Sequence, residues 1–314
     1  MTLTQRFSRV LGGNWPVLVF VVLLVTLIVL KGRFNGFDAR SLSVNALPLI
    51  LIALAQFLVI LTRGIDLSLG PVASVSGALM SLYVTDNPML GIALPLGAGL
   101  AAGLLNGGLI VGLRLPPIIV TLATMSIWQG VALVVLPNPG GAVPAGYQDA
   151  LMGSFSSPII GLVTLVVWCG LLTWLLSSRF GLSLRAIGSD ELAAGMSGVR
   201  VKRTKLVAYA LAGLLAAISG MYMAVSMSSG SPVVGDGFIL TSIAAVVIGG
   251  IPLTGGRGSP LAVTMGALIL TITASLLYFA QVSSFYQSLI NGLILLAVVG
   301  SPGARDYVAG LVHR

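Results

Sequence analysis

Apolar residues run through this chain in blocks of about bilayer length, broken by glycine, proline and small clusters of charge rather than by an amphipathic rhythm. Trp15–Leu30, Ala46–Thr62 and Leu206–Met227 are apolar for most of their length, and a helix needs about 20 such residues to cross the hydrocarbon core. Ten segments of this kind predict ten transmembrane helices, over 15–30, 43–62, 67–85, 90–113, 116–136, 157–177, 206–227, 238–251, 259–280 and 284–300. The first follows Arg6 and Arg9, as a signal peptide would. No small-residue cleavage site comes after it; Lys31 and Arg33 do, and further spans follow, so it is read as a retained helix. The expected fold class is an all-α polytopic membrane protein of about ten transmembrane helices, forming a single domain over residues 1–314.

Composition points the same way. Hydrophobic residues make up 57% of the chain and charged residues 8%, against roughly 25% charged in a soluble domain. The net charge of +8 does not call for nucleic acid as a partner. With the N-terminus inside and ten spans, thirteen of the sixteen basic residues fall on the cytoplasmic side, with Lys31, Arg33 and Arg40 outside. That is the positive-inside bias, and the bilayer is the partner it implies. It also sets the expected localisation: the inner (plasma) membrane, with both termini cytoplasmic. Cys169 is the single cysteine and lies mid-span, and His313 is the single histidine, so a disulfide, histidine catalysis and a metal site are not expected.

Two connections are long. Residues 137–156, with Pro137, Pro139 and Pro144, read as a turn-rich segment outside. Residues 178–205 read as a cytoplasmic loop holding six of the sixteen basic residues. Within it, Asp190–Met196 has the pattern of one short helix, with Ser189 as a cap, acids in the first turn and Gly198 beyond its end. A solvated topological linker is the alternative. A weak repeat pairs Gly64-Ile65 with Gly250-Ile251 and Asn106-Gly107 with Asn291-Gly292 at nearly one offset, suggesting two repeated halves. Gly99, Gly103 and Gly107 share one helix face, which predicts close helix packing.

Candidate chemistry sits where the apolar pattern breaks. Arg63–Pro71 and Gly249–Gly258 carry glycines and prolines that interrupt helices, and backbone groups freed at membrane depth must face protein or a water-filled route. Asp66 is the sharpest feature, read as a cap for the third helix, with Arg63 as a possible ion-pair partner, or as a substrate contact. Gln56, Asp66, Thr121, Thr124, Gln129 and Gln287 could line a hydrophilic path, and Asn106 and Asn291 belong to the same set of polar span residues. Neutral amides and hydroxyls suit a polyhydroxylated solute; interhelical hydrogen bonding accounts for each of them equally well. No G-x-x-x-x-G-K-[S/T] phosphate loop is present, so ATP hydrolysis by this chain is not expected. Carboxylates firmly inside a span are lacking, which disfavours a stand-alone ion-coupled carrier.

Three motifs together resemble the permeases of ribose-type ABC importers, over nearly all of residues 15–305. They are Gly64-Ile65-Asp66-Leu67-Ser68-Leu69-Gly70, the segment from Arg185-Ala186-Ile187-Gly188 through Ala193-Ala194 to Gly198-Val199, and Ile243–Gly250 with Gly255-Gly256 and Gly258 following. The resemblance implies a permease domain that forms the path for a sugar delivered by an external solute-binding protein. It further implies a second permease chain and two ATP-binding cassette domains, with ATP and Mg on those partners and no cofactor here. Residues 178–205 would be the coupling loop, with Arg185, Gly188, Asp190, Glu191, Ala193, Ala194 and Gly198 meeting the ATPase and the small residues permitting its close approach. Asp190 stands where the family commonly has asparagine, and Ile239-Leu240-Thr241 lacks the acids many relatives carry. A branched-chain amino acid permease is the neighbouring alternative; those relatives generally lack the Asp66 signature.

Overall fold

The computed structural model describes residues 3–152 and 159–283, with residues 286, 289–290, 292–293 and 296 beyond them. Regular structure among these residues is helical, apart from one isolated antiparallel bridge between Gly140 and Gly230. In chain order the first six helices are α1 (Leu3–Lys31), α2 (Gly36–Ile60), α3 (Leu69–Tyr83), α4 (Pro88–Gly112), α5 (Pro117–Val135) and α6 (Ala145–Met152). There follow α7 (Ile159–Ser177), α8 (Arg179–Ser189), α9 (Glu191–Met196), α10 (Val201–Met227), α11 (Phe238–Ile248) and α12 (Pro260–Phe279). Side-chain oxygens of Asn35, Asn87, Ser178, Asp190 and Ser259 accept first-turn amides and fix where α2, α4, α8, α9 and α12 begin.

Six of these helices, α2, α4, α5, α7, α10 and α12, are long and apolar enough to cross a membrane. The apolar part of α1, with α3 and α11, is shorter. A helix thus stands at nine of the ten expected spans, while most of 284–300, including Gln287 and Asn291, lies outside the described residues, as do Arg305, His313 and Arg314. The expected spans 67–85 and 238–251 are cut back to 15 and 11 residues. At 1.5 Å per residue these helices fall short of a hydrocarbon core of about 30 Å. Their glycine-bearing flanks are irregular instead.

Helix α2 is the axis of the bundle. Every residue from Ala46 to Thr62 is buried, as expected for a helix that is apolar on all sides, and α3, α7, α10, α11 and α12 pack around it. By contrast α4, α5 and α7 turn large apolar side chains outward, among them Leu122, Val134 and Trp174. The glycine stripe on α4 does what its spacing suggests. A Cβ at Gly99 would strike the Gly213 carbonyl, and one at Gly103 would strike the Tyr209 carbonyl, both on α10, so the two helices meet backbone to backbone.

Two loop expectations change. Of the segment 137–156, residues 137–152 are described; they contain helix α6 and are tied down by Ala142 N–H to Ser81 O, Val143 N–H to Ser228 O and the Gly140–Gly230 pair. The 178–205 loop holds two helices rather than one. Asp190, not Ser189, caps α9, accepting from Ala193 N–H at 2.9 Å. Ser189 ends α8.

Candidate functional site

Asp66 lies in the connection from α2 to α3 and is 2% exposed. Its Oδ1 accepts the Ser68 amide at 2.9 Å and the Ser68 hydroxyl at 2.7 Å. The Asn106 amide of α4 donates to Asp66 Oδ2 at 3.2 Å and to the Ser68 hydroxyl at 2.8 Å. Gln56, fully buried on α2, holds the backbone of Asp66 on both sides. With its amide oriented to suit its neighbours, the nitrogen donates to Asp66 O at 2.8 Å and the oxygen accepts from Asp66 N–H at 3.2 Å. Thr121 of α5 donates to Ile65 O at 3.0 Å. Side chains from α2, α4 and α5 therefore clasp one four-residue turn.

This arrangement revises the reading of Asp66. The N-cap residue of α3 is Ser68, which makes no side-chain cap bond; Asp66 instead accepts an amide two residues on, as an Asx turn does. Burial pushes the Asp66 carboxyl above its ordinary range, while hydrogen bonds from Ser68 and Asn106 pull the other way. Arg63 does not pair with it. Of the candidate path residues, Gln56, Asp66, Thr121 and Thr124 come together, but all four are buried, and the polar groups of the first three are engaged in holding the turn. Thr124 bonds back to Thr121 O at 3.3 Å within its own helix. Gln129 stands apart, half-buried, donating to Asp236 Oδ1 at 3.3 Å. Gln287 lies outside the described residues.

A second cluster brings the second and third sequence motifs to the end of α2, just before the first. Arg63, in a left-handed conformation (φ 64) at the end of α2, donates Nε to Gly188 O at 2.6 Å and Nη2 to Ser189 O. The Gly256 amide donates to Leu61 O at 3.2 Å. Gly188 has no room for a side chain, because a Cβ there would collide with Leu61 O and Gly256 N. The end of α8, the end of α2 and the glycine-rich connection to α12 thus form one joint. Its key members, Arg63, Ser189 and Gly256, are not among the residues expected to act there. The signal for Gly256 lay in the doubled glycine of the third motif. Ser68 stood in the first motif, whereas Tyr209 carried no signal, since its hydroxyl reaches the turn at Gly64 through a helix 145 positions away.

Beyond this joint the loop divides into an inner and an outer face. Arg185 turns back to donate to Leu176 O at 3.2 Å, Gly188 is buried, and Ala194, expected to admit a partner, is buried against its own chain. Asp190, Glu191, Ala193 and Gly198 are exposed, and Glu191 accepts from Lys205 at 2.6 Å. Leu192 and Met196, 82% and 91% exposed, share one face of α9. At the opposite end of α2, a cavity of about 720 Å³ opens among α1, α2, α11 and α12. It is walled by Phe34, Phe37 and Phe238 and by the ion pair of Lys31 with Asp38. Among the described residues no group of His, Cys, Asp and Glu is placed to hold a metal.

A helical bundle with a buried axis, interrupted helices and six helices of membrane-crossing length is that of a multi-pass membrane protein. A family profile described as "Branched-chain amino acid transport system / permease component" matches residues 39–299. The ribose import permease protein RbsC of Bacillus subtilis (strain 168) is 35% identical over 306 residues, 94% of each chain. The protein of the same name from Escherichia coli (strain K12) is 34% identical over 274 residues, covering 83% of this chain and 82% of its own. The autoinducer 2 import system permease protein LsrC of Escherichia coli O9:H4 (strain HS) is 33% identical over 291 residues, covering 88% of this chain and 83% of its own. No solved structure matches the chain. The chain belongs to this family of binding-cassette transporter permeases.

Proposed function

We propose that this chain is the membrane-spanning permease subunit of an ATP-driven importer for a sugar or similar small polyhydroxylated solute. In this reading nine described helices and 284–300 make ten spans in two related halves, both termini face the cytoplasm of a bacterial cell, and two permease chains enclose the path. Two ATP-binding cassette chains hydrolyse ATP with Mg, and an external binding protein delivers the solute. The permease itself catalyses nothing. Its relatives are named for ribose import and autoinducer 2 import, which favours a sugar-like solute over a branched-chain amino acid.

The observation that carries the proposal is the joint at Arg63, Gly188 and Gly256, which ties the α8–α9 loop to the end of the axial helix. A push on the exposed Leu192–Met196 face would be delivered through it to α2 and to the Asp66 turn. Reconstitution of the chain in liposomes with its ATPase and binding protein tests this. Solute-stimulated hydrolysis and uptake are expected from the full assembly, and neither from the chain alone. Protonophore-sensitive uptake by the chain alone would instead establish a stand-alone carrier.

A further inference from the structure

A cavity of about 420 Å³ lies where α4 ends and α10 begins. Three cations line it: Arg114 from the connection to α5, and Lys202 and Lys205 from the first turns of α10. Glu191 is the one acid in the lining, and it is engaged with Lys205. The side chains of Arg114 and Lys202 form no ion pair or hydrogen bond among the described residues. Like charges gathered in one concave site repel, and here one carboxylate faces three cations. The backbone adds to the imbalance. Arg114 is held at φ 55, a left-handed conformation uncommon for a residue with a side chain. The start of α10 has no side-chain cap and no acid in its first turn, so its positive end adds to the cations instead of being offset.

The surroundings decide which anion fits. Residues adjoining the cavity in sequence, Leu113, Ile118 and Ile119, are 64%, 51% and 59% exposed, and they continue into the outward apolar faces of α4 and α5. The cations therefore sit at the foot of an apolar surface, the arrangement a lipid presents in reverse, with phosphate at the end of its acyl chains. Basic pockets between spanning helices take such headgroups. We propose that this cavity binds the headgroup phosphate of an anionic phospholipid, with Arg114, Lys202 and Lys205 as its ligands and the acyl chains lying along α4 and α5.

The test uses the full chain in detergent micelles, titrated with phosphatidylglycerol or with phosphatidylcholine and followed by thermal unfolding and by mass spectrometry of retained lipid. Phosphatidylglycerol should protect and be retained in preference to phosphatidylcholine. Removing one cation, in Arg114→Gln or Lys202→Gln, should weaken its apparent affinity roughly fivefold, and removing both roughly thirtyfold. Glu191→Gln should tighten binding, a gain that a folding defect cannot imitate. Equal retention of the two lipids, or equal affinity of the wild type and the double variant, would overturn the proposal. Inorganic phosphate protecting as well as phosphatidylglycerol would assign the cavity to a free anion and overturn the lipid. Displacement of phosphatidylglycerol when the ATPase is added to the complex would assign it to a protein partner and overturn it likewise.

Discussion

The connection from α2 to α3 and the connection from α11 to α12 both interrupt an apolar helix with glycine, and each must satisfy the backbone groups it frees. In the first, side chains do the work: Gln56, Asn106 and Thr121 reach in from three helices to Asp66 and Ile65. In the second the side chains are missing by design of the sequence. Gly250, Gly255, Gly256 and Gly258 all have positive φ, and a Cβ at Gly258 would come within 2.7 Å of the Phe57 ring. The backbone itself then approaches α2, with the Gly256 amide on Leu61 O. One turn is a polar clasp and the other a bare backbone contact. Substitutions should therefore injure them in opposite ways: loss of polarity in the first, gain of bulk in the second.

The largest effect should come from Asp66→Leu. It leaves the Ser68 amide and the Ser68 hydroxyl buried without their acceptor and takes from the Asn106 amide one of its two acceptors, and each group left unpaired costs about 1–3 kcal/mol. A destabilisation of about 4 kcal/mol is expected, seen as loss of folded chain from the membrane and a lowered unfolding temperature. Asp66→Asn keeps an acceptor and should cost about 1 kcal/mol. Wild-type levels of folded Asp66→Leu would show that the clasp does not hold the turn.

Next in size is Gly256→Ala. Its φ of 77 disfavours any side chain, a penalty of about 1–2 kcal/mol, and the added Cβ would press to 2.9 Å from Ser189 Oγ. Gly108→Ala on α4 is the control, since nothing lies within 4 Å of its Cβ; it should be neutral or stabilising by about 0.5–1 kcal/mol. Unfolding curves of the two variants side by side decide the matter. Equal stability would mean that close approach is not what the glycine-rich connection supplies.

Arg63→Gly separates coupling from stability. Glycine relieves the left-handed conformation at φ 64 while removing both bonds to Gly188 and Ser189. The two changes oppose one another, so stability should stay within about 1 kcal/mol of wild type. In the reconstituted importer, solute-stimulated ATP hydrolysis should fall about tenfold, a change of about 1.4 kcal/mol in coupling. Full stimulation in this variant would show that the loop passes its motion by another route.

The sequence revealed these regions unevenly, for physical reasons. Long apolar blocks specify spanning helices because their length and lack of charge leave few alternatives, and among the described residues a helix stands at nine of the expected places, shortened at 67–85 and 238–251. The four-residue glycine spacing of α4 was legible because helix geometry alone puts those positions on one face. The clasp was half legible. Asp66 and Gln56 stood out as polar residues in apolar surroundings, but whether they face a path or one another depends on pairings such as Asp66 with Asn106, 40 positions apart. The same holds for Arg63, whose carbonyl partners lie 125 and 126 positions away. Ala194 faces its own chain, a placement that a six-residue helix has too little periodicity to mark.

The smallest effect expected is a pH dependence centred on the clasp. Burial is the main influence on the Asp66 carboxyl and raises it above its ordinary value of 3.8, against the hydrogen bonds from Ser68 and Asn106. Between 3.8 and the raised folded value, the folded chain holds a proton that the unfolded chain has lost. The stability this group contributes is therefore complete below 3.8, falls as pH rises through that window, and is level above it. Asn at this position has no proton to lose, so Asp66→Asn removes the dependence. Unfolding temperatures of the two chains in detergent, compared from about pH 4 to about pH 7, should shift in favour of the variant as pH rises. A difference that moves toward the wild type with rising pH would mean that the hydrogen bonds outweigh burial and that the clasp is built around a carboxylate.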